Sequence, residues 1–256
     1  MNTRIKTKSE LAAMRISGQM LATVLALLKN RLQAGMTTKD LANMAAEETT
    51  RLGGKPAFLG YQGFPDVICI SVNDEVVHGI PSATKVLNEG DIVSLDFGIN
   101  YQGMITDSAI SLIVGKAKNP RHTKLVQATE AAMHAGISVL HDQIRTGDIG
   151  AAVEAVLKAS KLGGPYGIVR DLVGHGVGHE LHEDPNIPNY GREHTGPWLS
   201  TGMTIAIEPM ATLGTERVYV AEDGWTILTG DGSWSAHFEH TVLITDDGAE
   251  ILTELA

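Results

Sequence analysis

The sequence predicts an α+β chain built from two related halves, and three observations carry that expectation. A glycine turn, an apolar strand and a carboxylate recur: the run from Leu87 to Asp96 lies without a gap on the run from Leu199 to Glu208, 112 positions further on. Helical windows precede both copies in the same order, helix, helix, strand. The segments that carry the carboxylates are rich in Ile, Val and Leu and read as strands. Solenoid repeats have periods of about 20 to 50 residues, so a period near half the chain implies two halves packed face to face. A site at their junction would take ligands from both.

Taken in order, the first helical window holds Ala12-Ala13-Met14 and the apolar run from Met20 to Leu28. That run is too short to span a bilayer, and Thr23 and Lys29 suit an amphipathic helix. The basic residues of Met1 to Glu10 lack the apolar stretch that a signal peptide needs. A second helical pattern opens at Gly35 and closes on Leu52-Gly53-Gly54, where glycines suit a helix C-cap. Asp91 to Phe97 and Met104 to Val114 then read as strands, with Gly98 to Gly103 turning between them. If facing residues sum to 203, Asp96 sits opposite Asp107 and both carboxylates project from one face. Like charges so placed destabilise a hairpin unless a cation lies between them; the plain alternative is one Asp in a turn and the other capping a helix. The second half repeats the pattern with Ala131-Ala132-Met133 at an offset of 119, Gly147 at 112 from Gly35, and Leu162-Gly163-Gly164. A single catalytic domain spanning 1–256 is expected, with halves of roughly 10–115 and 120–250.

Composition narrows the function classes. A hydrophobic content of 43% with 20% charged residues is ordinary for a soluble globular protein. The net charge of −10 repels phosphate backbones over most of the surface, which argues against nucleic acid as the main ligand. The local basic groups, Arg4, Lys6 and Lys8 and then Lys116, Lys118, Arg121 and Lys124, read as solvated surface charge. The one cysteine, Cys69, has no partner for an internal disulfide and cannot anchor a thiolate zinc site by itself. A reducing cytoplasm and no membrane are expected.

The residues suited to chemistry cluster by type. Gly174-His175-Gly176-Val177-Gly178-His179 lacks the Gly-Lys-Ser/Thr ending of a phosphate loop and the spacing of a dinucleotide fingerprint. Its glycines are expected to let the backbone crowd a ligand. His175, His179 and His182 compete as metal ligands beside carboxylates that end similar strands: Asp96, Glu208 in Ile207-Glu208-Pro209-Met210, and Glu239 in Phe238-Glu239-His240-Thr241. Hard oxygen donors with one imidazole suit Mn²⁺, Fe²⁺, Co²⁺ or Zn²⁺.

In order and local wording, Asp96, Asp107, His175, Glu208 and Glu239 resemble the ligand set of the type I, bacterial-style methionine aminopeptidases of peptidase family M24. The resemblance runs from about Ile5 to Thr253. It is carried by Ser71-Val72-Asn73 with His78-Gly79-Ile80-Pro81, Asp96-Phe97-Gly98, Thr106-Asp107, Gly174-His175-Gly176, Ile207-Glu208-Pro209-Met210 and Glu239-His240-Thr241. The 33 positions from His175 to Glu208 leave no room for the subdomain inserted in type II enzymes. The chain also begins near the first shared helix, as a minimal enzyme would.

That resemblance implies a pita-bread fold, with two pseudo-symmetric halves forming an antiparallel sheet flanked by helices. It implies metal-dependent removal of the N-terminal methionine from nascent proteins and peptides with a small second residue. Two divalent ions, Co, Mn, Fe or Zn, would be held by Asp96 on one side, by Asp107 and Glu239 bridging, and by His175 with Glu208 on the other. A hydroxide bridging the metals would attack, with Glu208 taking up the proton, His182 bonding the carbonyl oxygen and His78 contacting the scissile amide nitrogen. The methionine side chain would enter among Tyr61, Phe64, Cys69, His78, Leu181 and Trp225. Here the chain departs from the familiar pattern: Phe64 stands for a common tyrosine, Leu181 for a common phenylalanine, and Val77 for the cysteine that often precedes the histidine. His179 falls outside the ligand set, as a supporting or surface residue. The implied partners are nascent N-termini, with a transient ribosome contact, and the implied state is a cytoplasmic monomer. An X-prolyl dipeptidase and a catalytically silent binding protein of the same fold are the rivals. The missing N-terminal domain argues against the first and the complete ligand set against the second.

Overall fold

A computed structural model describes residues 5–255; Arg4 of the first basic group lies outside them. Four long helices form where the sequence supplies their caps. α1 (Lys8–Arg31) opens on a capping box in which Thr7 accepts from the Glu10 N–H and Glu10 accepts from the Thr7 N–H. α2 (Thr38–Leu52) repeats the device with Thr37 and Asp40 and ends on left-handed Gly53. α3 (Pro120–Ser138) starts on Asn119 followed by proline at the first helical position, and α4 (Thr146–Lys158) starts where Asp148 accepts from the Arg145 N–H. By length and composition α1 could cross a membrane, yet half of its most apolar window is buried inside the protein. It is a core helix here, with Met14, Leu21 and Leu28 wholly enclosed.

Nine strands make the main sheet of the described residues: β1 (Lys55–Pro56), β2 (Cys69–Val72), β3 (Ile92–Tyr101), β4 (Met104–Ile113), β5 (Gly174–Gly176), β6 (Glu183–Ile187), β7 (Thr204–Ile207), β8 (Glu239–Ile244) and β9 (Ala249–Ile251). Their order is β1-β3-β4-β8-β7-β5-β6, with β2 also along β3 and β9 along β8, and every pairing is antiparallel. The order β2-β3-β4 of the first half therefore mirrors β5-β7-β8 of the second, and the halves join where β4 meets β8. This is the expected α+β arrangement of two pseudo-symmetric halves.

Alternation along the strands sorts the two faces. Val93, Leu95, Phe97 and Ile99 of β3 pack beneath α1 and α2 with Leu21, Leu25 and Leu41. Ile205 and Ile207 of β7 and Val242 and Ile244 of β8 pack beneath α3 and α4. Each such fully buried side chain stabilises by roughly 1.5 to 3 kcal/mol, so one face is tightly committed to helices and the other is left for the site.

Two elements matched in the sequence repeat are placed differently in the two halves. Thr37 bridges Val86, and Arg145 pairs with Trp198 in the same way; the strand partners are 112 positions apart, but the helix-opening residues are 108 apart. Gly35 and Gly147 are thus not equivalent, since Gly35 precedes α2 whereas Gly147 lies in the first turn of α4. The closing glycines differ too. Gly53 caps α2, but α4 stops at Lys158 and Gly163 instead follows a short 3-10 turn, Ser160–Leu162.

Candidate metal centre

The hairpin of β3 and β4 turns more tightly than the sequence suggested. Gln102 and Gly103 both take positive φ, 53° and 85°, which makes the two-residue turn whose twist matches antiparallel strands. The ladder therefore runs on to Tyr101 opposite Met104, and the register moves by two: Asp96 faces Ala109 and Asp107 faces Gly98. A shift of two keeps every side chain on its face, so Asp96 and Asp107 are diagonal neighbours on the side away from the helices. Glu239 opens β8 opposite Ala109, Glu208 follows the last residue of β7, and His175 is the middle residue of β5. All five proposed ligands thus converge on one face from both halves.

Their environment asks for a cation. Ligand atoms of Asp107, His175 and Glu239 all lie within 4.8 Å of one another. His175 donates from Nδ1 to the Gly176 carbonyl at 3.0 Å, so its Nε2 carries the lone pair, and Nε2 lies 3.3 Å from Glu208 Oε1. Burial lowers His175 to about 3, so the imidazole is neutral and its Nε2 lone pair is available to a cation. Asp96 Oδ1, Asp107 Oδ1 and Glu239 Oε1 are buried with no hydrogen-bond partner among the described residues. Burial raises Asp107 to about 7, and burial followed by mutual repulsion holds Asp96, Glu208 and Glu239 well above the carboxylate range. A divalent ion reverses each of these penalties, and oxygen donors with one neutral imidazole are a set it accepts. The residues fit a metal.

Above this floor is a cavity of about 130 Å³, several times the roughly 10 to 15 Å³ that one water needs, so a side chain can enter. Tyr61, Phe64, Cys69, His78, Leu181, His182 and Trp225 all line it, together with Phe58 and Gln62. Phe64 meets Trp225 edge-on at 5.2 Å. The Cys69 thiol, directly across from Asp96 on the next strand, is pushed far up by burial and then by that charge, so it is a neutral wall atom. His78 sits in left-handed backbone at φ 59°, and burial lowers it to about 4. Tyr61 Oη lies 2.8 Å from His182 Nδ1, and the His182 ring stands 4.3 Å from that of His175. The cavity walls hold His182 below the ordinary histidine value.

Several expectations change. Val77 does not line the cavity; it packs with Val76, Val169 and Met210, so that departure bears on the core. His179 turns away from the carboxylates to Glu10, 2.7 Å off. Lys6 is not a solvated surface charge, for its side chain is fully buried against Glu183. Two of the three glycines of the 174–179 run crowd protein and not ligand: a Cβ at Gly174 would lie 2.3 Å from the Ala206 oxygen, and one at Gly178 2.4 Å from Lys6 Cε. Sequence reasoning also passed over His237. It is buried, neither ring nitrogen has a partner among the described residues, and its Nε2 lies 3.7 Å from Glu208 Oε2. Its place two residues before Glu239 was the available signal.

With this geometry in hand, comparison with known proteins decides the family. The sequence profile of metallopeptidase family M24 matches residues 12–246. The chain belongs to metallopeptidase family M24. It is 44% identical to a methionine aminopeptidase of Mycoplasma capricolum over 98% of each chain. The crystal structure of a methionine aminopeptidase from Thermotoga maritima superposes with a TM-score of 0.95 at 46% identity, over 98% of this chain and 99% of that one. Prolidase from Pyrococcus furiosus shares the fold, with a TM-score of 0.77 at 23% identity over 98% of this chain and 66% of the other. The family is one of divalent-metal peptidases, and this chain groups with its aminopeptidases.

Proposed function

We propose that the protein removes the N-terminal methionine from nascent proteins and peptides with a small second residue, in the cytoplasm and as a monomer. The observation that carries this reading is the stacking of a largely apolar pocket directly over four buried carboxylates, three of them with an oxygen left without a hydrogen-bond partner, and one imidazole. Asp96, Asp107, His175, Glu208 and Glu239 would hold two divalent ions, with Co, Mn, Fe and Zn all compatible with the donors. When bound, such a pair lowers the pKa of water and polarises the scissile carbonyl.

The protein's own groups do the rest. In this reading Tyr61 donates to His182 Nδ1, so that Nε2–H is the donor offered to the substrate. That N–H bonds the carbonyl oxygen as its charge develops. Glu208, the least enclosed of the carboxylates, takes up the proton of the attacking water and delivers it to the leaving amine. His78 bonds the scissile amide nitrogen. Tyr61, Phe64, Cys69, Leu181 and Trp225 enclose the methionine side chain. A transient ribosome contact belongs to the same reading.

The test is release of the first residue from Met-Ala-Ser, Met-Leu and Ala-Pro peptides, with Mn²⁺, Fe²⁺, Co²⁺ and Zn²⁺ supplied separately. Met-Ala-Ser is expected to turn over fastest. Faster hydrolysis of the proline peptide would overturn the reading.

A further inference from the structure

The loop from Gly178 to Glu183 contributes Leu181 and His182 to the cavity, yet its hydrogen bonds lead elsewhere. Glu183 folds the loop on itself: its Oε1 accepts from the backbone N–H of His179 at 2.7 Å and of Glu180 at 3.3 Å. Its Oε2 accepts from Lys6 Nζ at 2.7 Å, and the side chains of the two partners are 9% and 0% exposed. A buried carboxylate that satisfies two loop amides needs a fixed countercharge. That countercharge comes from 177 residues away, in the segment leading into α1.

The same segment grips the loop a second time. Glu10, in the first turn of α1, bonds His179 Nε2 at 2.7 Å, and that bond is the main reason Glu10 is lowered to about 2. The segment is itself seated, since the Lys6 N–H donates to the Gly202 carbonyl at 2.9 Å and the Thr7–Glu10 capping box closes behind it. Gly178 leaves room for Lys6 to pass, because any Cβ there would meet Lys6 Cε at 2.4 Å.

We propose that the segment Lys6 to Glu10 is a positioning element for substrate selectivity. Through Glu183 and His179 it holds the 178–183 loop in the one shape that sets Leu181 against the methionine pocket and His182 over the carboxylates. The proposal rests on the aminopeptidase reading above. Neither Lys6 nor Glu10 touches the cavity, so both act through Leu181 and His182.

The experiment compares kcat/KM for Met-Ala-Ser and Leu-Ala-Ser in metal-loaded enzyme. Their ratio does not depend on how much enzyme is folded, so a merely structural role would leave it unchanged. Lys6→Met is expected to lower the Met/Leu ratio by roughly tenfold, the scale set by misplacing one apolar contact, with KM for Met-Ala-Ser rising more than kcat falls. Lys6→Arg should restore the ratio, and metal content should not change. Should Lys6→Met fail to fold, the milder Glu10→Gln and His179→Ala are expected to move the ratio in the same direction by a smaller factor. An unchanged ratio in folded Lys6→Met, or in both milder variants, would overturn the proposal. A wild-type enzyme that releases no methionine would instead overturn the functional reading and this inference with it.

Discussion

The carboxylate floor hangs on the ladders of β3, β4, β7 and β8, whereas most of the pocket wall is carried by the connections between strands. Asp96, Asp107 and Glu239 sit in strand registers shared with their neighbours. Tyr61, Leu181, His182 and Trp225 come from connections held by local hydrogen bonds, such as Asp223 accepting from the Trp225 and Thr226 N–H groups and Glu183 accepting from the His179 and Glu180 N–H groups. Ladder-bound carboxylates cannot swing apart to relieve their repulsion, so the floor is strained without a cation and intolerant of change. Loops can give by fractions of an ångström, so the wall should degrade in steps.

The largest effect should therefore come from the floor. Asp107→Asn and Glu239→Gln each remove a proposed bridging carboxylate, and loss of paired metal together with all detectable methionine release is expected. Metal analysis beside turnover checks this; near wild-type activity with two bound ions would break the contrast. On the wall, His182→Ala should lower kcat by about 10² to 10³ while metal content stays unchanged, because one oxyanion donor is lost and no ligand. Tyr61→Phe, which frees the His182 tautomer but keeps its ring, should give a smaller drop of the same kind.

Stability against pH separates floor from wall in another way. Raised carboxyls bind protons in the folded state that the unfolded chain has lost, so their contribution falls as pH rises toward their folded pKa. The lowered histidines, His78, His175, His237 and His240, act oppositely, but only below about pH 6.5, where the unfolded chain still binds their protons. Above that value the carboxyls alone remain: burial puts Asp107 near 7, and burial with mutual repulsion raises Asp96, Glu208 and Glu239 well above the carboxylate range. Metal-free protein should thus lose several degrees of Tm from about pH 6.5 to 8, at roughly 2 to 4 °C per kcal/mol for a chain of this size. Saturating metal should flatten the slope, and Asp107→Asn should make the metal-free slope shallower. A flat metal-free profile would mean that the floor relaxes after all.

The same difference explains what was legible in the sequence. The floor lies on strands whose period of two and whose duplication show in one dimension, so Asp96, Asp107, Glu208 and Glu239 stand out. Even the two-residue error in hairpin register left the face correct, because alternation has the same period. The wall was reached only through resemblance, since aromatic residues in loops look like core aromatics until their neighbours are known. Phe58 and Gln62 carry no chemical signal at all. Lys6 was misread because its partner, Glu183, is 177 positions away, and nothing local marks a lysine as buried.

The smallest effect should follow from filling the wall. Leu181 is 3% exposed and packs with Phe58, Phe64, Cys69 and Val177, but it offers no ring face to a thioether. Leu181→Phe would add a sulfur–aromatic contact worth about 0.3 to 1.5 kcal/mol, reduced by whatever the loop must yield to admit the larger ring. A rise of roughly threefold in kcat/KM for Met-Ala-Ser over Leu-Ala-Ser is expected, equivalent to about 0.6 kcal/mol, with turnover of the two peptides measured side by side. The carboxylates and His175 should be indifferent to the change, so metal content must stay constant. If Leu181→Phe instead expels metal or cuts turnover on both peptides alike, wall and floor are mechanically coupled through the His182 ring packed on His175, and the contrast drawn between them fails at that contact.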